Sequence, residues 1–256
     1  MNNIYKATQL IGDTYAKQMI GENEYIQSWH VHKLKHTFAV ASNIMDLLFS
    51  EKEIFESFSA SEIELTELSA ILHDIGRFYQ HRDGRHLENS EFDHGKFAVE
   101  LLKDNPDFNN PILLFAIEEH NQFAINFENP YYKNLSDHDK KVAEIIAKLL
   151  RDADKLENIK HFIYYGISEL HFNTPNTPLS DKVKEAIASG KQINSKFTNG
   201  KADKIANSLS WIYDIYFEST KEQIRNLKYI DFGIKEAKKY GATDEDCELL
   251  RKNLKV

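Results

Sequence analysis

Apolar residues recur at three- and four-residue intervals along most of this chain, the period of α-helices that bury one face. Only ten glycines and five prolines punctuate its 256 residues, so there are few sites for the tight turns that a β-rich fold needs. The pattern predicts an all-α protein. Over residues 29–49, Leu34, Phe38, Val40, Ala41, Ile44, Leu47 and Leu48 line one side of a helix that also carries His36. Ser61 and Glu64 have the form of a capping box, and the helix they open turns Leu65, Leu68, Ile71 and Leu72 inward until Gly76 ends it. His73 and Asp74 fall in its last turn.

Further helices are expected over 90–103, 111–120, 136–160, 181–189 and 202–220, with two more before the C-terminus. A polar loop over 79–89, with Gly84 at its middle, separates the helix that carries His73 and Asp74 from the one over 90–103. The stretch from Asn173 to Ser180 contains two prolines and is the one weak point in the pattern. The expected organisation is a single domain over 1–256, with a core at about 29–160 and a C-terminal helical extension at about 180–256. There is no internal repeat and no low-complexity tract.

Composition narrows the class. Hydrophobic residues at 41% and charged residues at 28% belong to a globular protein able to bury a core. A lone cysteine, Cys247, excludes an intramolecular disulfide and thiolate-rich zinc sites, and suits a reducing compartment. No run of about 18 apolar residues is present and the first residues lack a signal-peptide core, so a cytoplasmic location is expected. A formal charge of −8 argues against a nucleic-acid polymer or an anionic membrane as partner. A small anionic substrate remains compatible if a metal or local cations neutralise it. Walker, Gly-x-Ser-x-Gly and dinucleotide fingerprints are missing.

The informative residues are imidazoles and carboxylates placed on or at the ends of predicted helices: His36, the pair His73-Asp74, His94, His120, and either Asp152 or Asp154. A single histidine on an apolar face is more often a hydrogen-bonded core residue than a ligand, and the chain has eleven. As a set, their types suit iron, manganese or zinc, with a carboxylate able to bridge two ions. Adjacent helical residues point about 100° apart, so His73 and Asp74 converge only where their helix ends or other helices wrap round them.

The doublet stands in Ala70-Ile-Leu-His-Asp-Ile-Gly-Arg77, preceded by a helix histidine and followed at a distance by Arg151-Asp-Ala-Asp-Lys-Leu-Glu157. This order resembles the His-Asp (HD) superfamily of metal-dependent phosphohydrolases over roughly 29–160. The resemblance implies a helical bundle whose metal is held by His36, His73, Asp74 and Asp154. The family's Ala-Asp-basic-Leu form favours Asp154 and leaves Asp152 a supporting or substrate-side part. The surroundings of His94 and His120 are similar to those of dinuclear members. These two would hold a second divalent transition metal, iron, manganese or similar, with Asp74 bridging; the alternative is that they touch substrate.

In that family the reaction is hydrolysis of a nucleotide or other small phosphate ester by metal-activated water. Asp74 and Arg77 are then the catalytic candidates, Arg77 forking onto phosphate oxygens or merely complementing a helix C-terminus. Loop residues His81, Arg82, Arg85 and His86 would select an anion, or are simply a polar loop. The aromatic-rich segment 201–216 would cover a pocket, or packs in the core. Two other functions stay open: a di-iron oxygenase, since such members use the same four histidines and two aspartates, and a non-catalytic nucleotide or metabolite sensor. The Gly-Tyr-Pro extension of cyclic-di-GMP phosphodiesterases is missing.

Overall fold

The computed structural model describes residues 2–82, 85–87, 92–166 and 174–256, and leaves the side chains of Arg82, Arg85 and His86 outside that description. Among the described residues the chain is all-α apart from one two-residue antiparallel ladder, β1 (His81–Arg82) with β2 (Arg85–His86). No helix among them is long and apolar enough to cross a membrane.

The chain divides into two compact units, 1–154 and 155–256, where the sequence suggests one domain with a weak point at 173–180. The division falls inside one helix, α8 (Asp137–Tyr165), and not at the prolines. The reason is local: α8 has no glycine or proline, and buried Ala147, Leu150, Ala153, Leu156 and Ile159 keep helical spacing straight through the boundary. Nothing in the pattern marks the change of unit.

In the first unit, α1 (Asn3–Met19), α2 (Glu24–Ser50), α3 (Lys52–Ser57) and α4 (Ala60–Leu72) precede a 3₁₀ turn over Ile75–Tyr79. After the ladder come α5 (His94–Leu102), α6 (Pro111–Glu119), α7 (Pro130–Lys133) and the first part of α8. Helix α4 is the central piece, packing against α1, α2 and α6. Its Leu68, Ile71 and Leu72 join Ala7, Ile11, Leu113 and Ile117 in one core. Residues 112–117 of α6 are all apolar and all buried, as a helix surrounded by others requires.

Three local expectations are corrected. The capping box of α4 is Ser59 with Glu62, not Ser61 with Glu64. Both frames have the same spacing, and only the packing of α4 chooses between them. The helix expected over 90–103 begins at His94, capped by Asp93, while 90–91 lie outside the described residues. Gly76 does not end α4. The helix stops at Leu72, and Gly76 lies within the 3₁₀ turn without a positive φ. The sequence pattern had not distinguished α1, α3 and α7.

The second unit holds the end of α8, α9 (Asp181–Ala188), α10 (Lys201–Leu209), α11 (Glu218–Asn226), α12 (Tyr229–Lys239) and α13 (Asp244–Asn253). The single helix expected over 202–220 is broken. Ser210 donates its hydroxyl to the carbonyl of Asn207 at 2.7 Å and accepts from Ile193 N at 2.9 Å, and residues 210–214 tighten into a 3₁₀ turn. Trp211 and Tyr213 pack against this unit's core, so the aromatic segment is core material.

Replacing Ser59 by Ala should lower stability by about 1 kcal/mol, because it removes the hydroxyl that caps α4. Urea unfolding of Ser59→Ala beside Ser61→Ala checks this, with the larger loss expected at Ser59.

Candidate metal centre

The first unit brings five buried groups to one point: His36 from α2, His73 and Asp74 from the end of α4, His94 from the start of α5 and His120 from the end of α6, each no more than 4% exposed. The Asp74 carboxylate lies at the middle, and its two oxygens face different partners. Oδ2 is 3.7 Å from His36 Nε2 and 3.6 Å from His73 Nε2. Oδ1 is 3.4 Å from His94 Nε2 and 3.7 Å from His120 Nε2. Ligand atoms of His36, His73 and Asp74 form one group within metal-holding distance, and those of Asp74, His94 and His120 form another.

Between the two candidate aspartates, the structure brings Asp154 to the centre, with Oδ1 3.0 Å from His36 Nε2. Asp152 is fully buried. Two residues apart on a helix means about 200° apart around its axis, so only one of them can face α2.

The imidazoles are oriented for their Nε2 atoms to bind. His73 Nδ1 is 2.7 Å from the carbonyl of Ala70, and His120 Nδ1 is 2.6 Å from that of Ile117. A carbonyl can only accept, so each Nδ1 carries a proton and each Nε2 is the atom turned toward Asp74, with a lone pair on the neutral ring of His73. Among the described residues His73 Nε2 is buried and has no hydrogen-bond partner. An orphaned lone pair costs roughly 1–3 kcal/mol, and a cation at this point would satisfy it. The residues present therefore fit a metal.

Two glycines allow the helices to approach. A Cβ on Gly76 would lie 2.2 Å from the carbonyl oxygen of His94, and one on Gly95 would lie 2.7 Å from Asn121 Oδ1. Gly76 is required because the doublet and the His94 backbone touch here.

Lys33, which the sequence pattern did not single out, puts Nζ 3.2 Å from Asp74 Oδ2. It lies three residues before His36, one turn along α2, and that spacing was the available signal. Arg77 approaches the other oxygen, with Nε 3.5 Å from Oδ1, and donates from Nη1 to Gln80 Oε1 at 2.7 Å. Of the loop group, His81 meets the Trp29 ring edge-to-face at 4.5 Å between centroids. The side chains of Arg82, Arg85 and His86, together with Gly84, lie outside the described residues.

Burial disfavours the ionised form of Asp74, but Lys33, then His73, a hydrogen bond from His120 and Arg77 outweigh it and hold the carboxyl well below the usual carboxylate range. Burial pushes His73 down to about 4. Burial, then Arg77, lowers His94 well below an ordinary imidazole. Asp154 is also held low: burial opposes ionisation, and the hydrogen bond from His36 overcomes it. Neutral His73 and His94 beside ionised Asp74 and Asp154 are the protonation states a metal requires.

The site thus belongs to the class of helical proteins that build a metal centre from histidines and carboxylates on facing helices. Residues 34–159 match the family model of the HD domain, and this span of the chain is an HD domain. No curated protein and no solved structure matches the chain.

Gly76→Ala should destabilise the protein by roughly 1–3 kcal/mol, the usual cost of overpacking, and should also weaken metal retention, because the new methyl displaces the backbone of His94. Urea unfolding and elemental analysis read the two effects. In metal-free protein, His73 resists protonation down to about 4, whereas the unfolded chain takes up that proton near 6.5. The unfolded state therefore binds more protons between these values, and stability falls as pH drops through that window. His73 accounts for roughly 3 kcal/mol of the loss, and His94 adds in the same direction. The chelated protein's urea midpoint should drop between pH 7 and 4.5, and less steeply in His73→Gln.

Proposed function

We propose that this protein is a metal-dependent phosphohydrolase acting on a nucleotide or another small phosphate ester. The observation that carries the reading is the division of Asp74, one oxygen toward each of two histidine groups, within an HD domain. In this reading one ion takes His36, His73, Asp74 and Asp154, and a second takes Asp74, His94 and His120. Bound divalent ions, iron or manganese by ligand type, supply a water acidified toward neutrality and charge to hold phosphoryl oxygens.

The chain's own part is positioning. Ala70 and Ile117 hold the imidazoles of His73 and His120 in one tautomer. Lys33 and Arg77 place two positive charges beside the Asp74 carboxylate, on its opposite oxygens. They offer an anionic substrate local neutralisation in a chain of net charge −8. Arg77 presents a planar fork suited to two phosphoryl oxygens, and Lys33 a point charge. A single buried cysteine suits the cytoplasm, where we place the protein.

The test is elemental analysis of protein purified without oxygen or chelator, followed by a panel of nucleotides and small phosphate esters assayed with and without oxygen. About two ions per chain and oxygen-independent phosphate release are expected. Turnover that requires oxygen would overturn the hydrolase in favour of the di-iron oxygenase, and tight nucleotide binding without turnover would favour the sensor. His73→Ala and Asp74→Ala should each lower hydrolysis on the order of 100-fold or more and lose metal while remaining helical by circular dichroism. Asp154→Ala should lose metal, and Asp152→Ala should keep it.

A further inference from the structure

Arg151 lies three residues before Asp154 on α8 and is among the largest fully buried side chains, 1% exposed. A guanidinium does not shed its proton in a protein, so a buried one must find its acceptors inside. Arg151 finds several of them on backbone. Its Nη1 donates to the carbonyls of Glu119 at 2.6 Å and Gln122 at 2.8 Å, with that of His120 at 3.2 Å. These belong to the C-terminal end of α6, where helical carbonyls lack partners and the helix dipole favours a cation.

This turn carries more than His120. Asn121 Nδ2 donates to Asp93 Oδ1 at 2.9 Å and lies 3.3 Å from His94 Nδ1. Gln122 Nε2 donates to Asp93 Oδ2 at 3.0 Å and to Asn121 Oδ1 at 2.9 Å. Asp93 is the N-cap of α5, and His94 is that helix's first residue. A chain of hydrogen bonds therefore runs from Arg151 through residues 119–122 to both imidazoles that face Asp74 Oδ1. The group facing Oδ2 has separate supports: His36 is on α2, and the His73 ring is held by Ala70.

We infer that Arg151 is a positioning residue for the His94–His120 half of the centre. It fixes the turn after α6, the turn fixes the two imidazoles, and α8 thereby serves both halves, giving Asp154 to one and the clamp to the other. The inference rests on the two-ion reading above. A guanidinium suits the task because its head keeps its charge when buried and is held planar while Nη1 meets these carbonyls, whereas an ammonium sits on a flexible stem and sheds its proton more readily when buried.

Titration of Mn²⁺ into chelated protein, by calorimetry with elemental analysis of the dialysed product, tests it in wild type, Arg151→Met and Arg151→Lys. Wild type should bind two ions. Arg151→Met should bind the first with unchanged affinity and the second on the order of 10–100-fold more weakly, the usual effect of losing a support behind a ligand. Arg151→Lys should fall between. If Arg151→Met binds both ions like wild type and loses only thermal stability, Arg151 is a structural cap and the inference fails alone. If wild type binds a single ion, the two-ion reading fails and takes the inference with it. Should Arg151→Met not fold, wild-type affinity for both ions in folded Arg151→Lys would overturn the proposal equally.

Discussion

A carboxylate that is 2% exposed has given up its water and must be compensated by fixed charge and directed hydrogen atoms, or it will not ionise. Asp74 is compensated by Lys33 and Arg77, which bring formal charges, and by a hydrogen bond from His120, and four imidazoles converge on its oxygens. The six partners arrive on five stretches of chain: Lys33 and His36 on α2, His73 at the end of α4, Arg77 on the 3₁₀ turn, His94 on α5 and His120 at the end of α6. The helices of the first unit are thus arranged as much by the needs of this one group as by the apolar core beneath it.

Among the described residues His73 Nε2 is buried without a hydrogen-bond partner, and the Nε2 atoms of His94 and His120 share a hydrogen bond of 3.1 Å. Holding these groups in place requires a rigid backbone behind them. Rigidity comes from close approach at Gly76 and Gly95, which lets α5 seat on the doublet and on the end of α6, and from the buried guanidinium that ties the α6 terminus to α8. Where preorganisation is this complete, binding energy is not spent on ordering ligands, and affinity follows from the chemistry of the donors.

Much of the fold was readable because helices announce themselves by period. The long apolar stripes of α2, α6 and α8 located those elements to within a few residues. The shortest helices, α3 and α7, were not readable, since six and four residues hold too little periodicity to separate them from loop. Residues 210–214 defeated the pattern for another reason. Their apolar spacing continues the helix, and it is the Ser210 hydroxyl, bound to Asn207 and Ile193, that tightens it. The candidate ligands were nameable from their order along the chain, but Lys33, Arg151 and the Asp93–Asn121–Gln122 links were not, because a lysine on a helix or an arginine beside an aspartate is ordinary until its neighbours are known.

By itself the sequence determined the helical class, the exclusion of an intramolecular disulfide, the family resemblance carried by Ala70–Arg77, and which imidazoles and carboxylates were eligible to meet, since each of these resides in local periodicity or in residue type. Only the tertiary structure decided that Asp154 and not Asp152 turns to His36, that Gly76 serves a close approach and not a helix stop, that Ser59 and not Ser61 caps α4, and that the chain divides within α8. Those outcomes depend on contacts between residues distant in sequence, where direction and packing choose among alternatives that local spacing leaves equal.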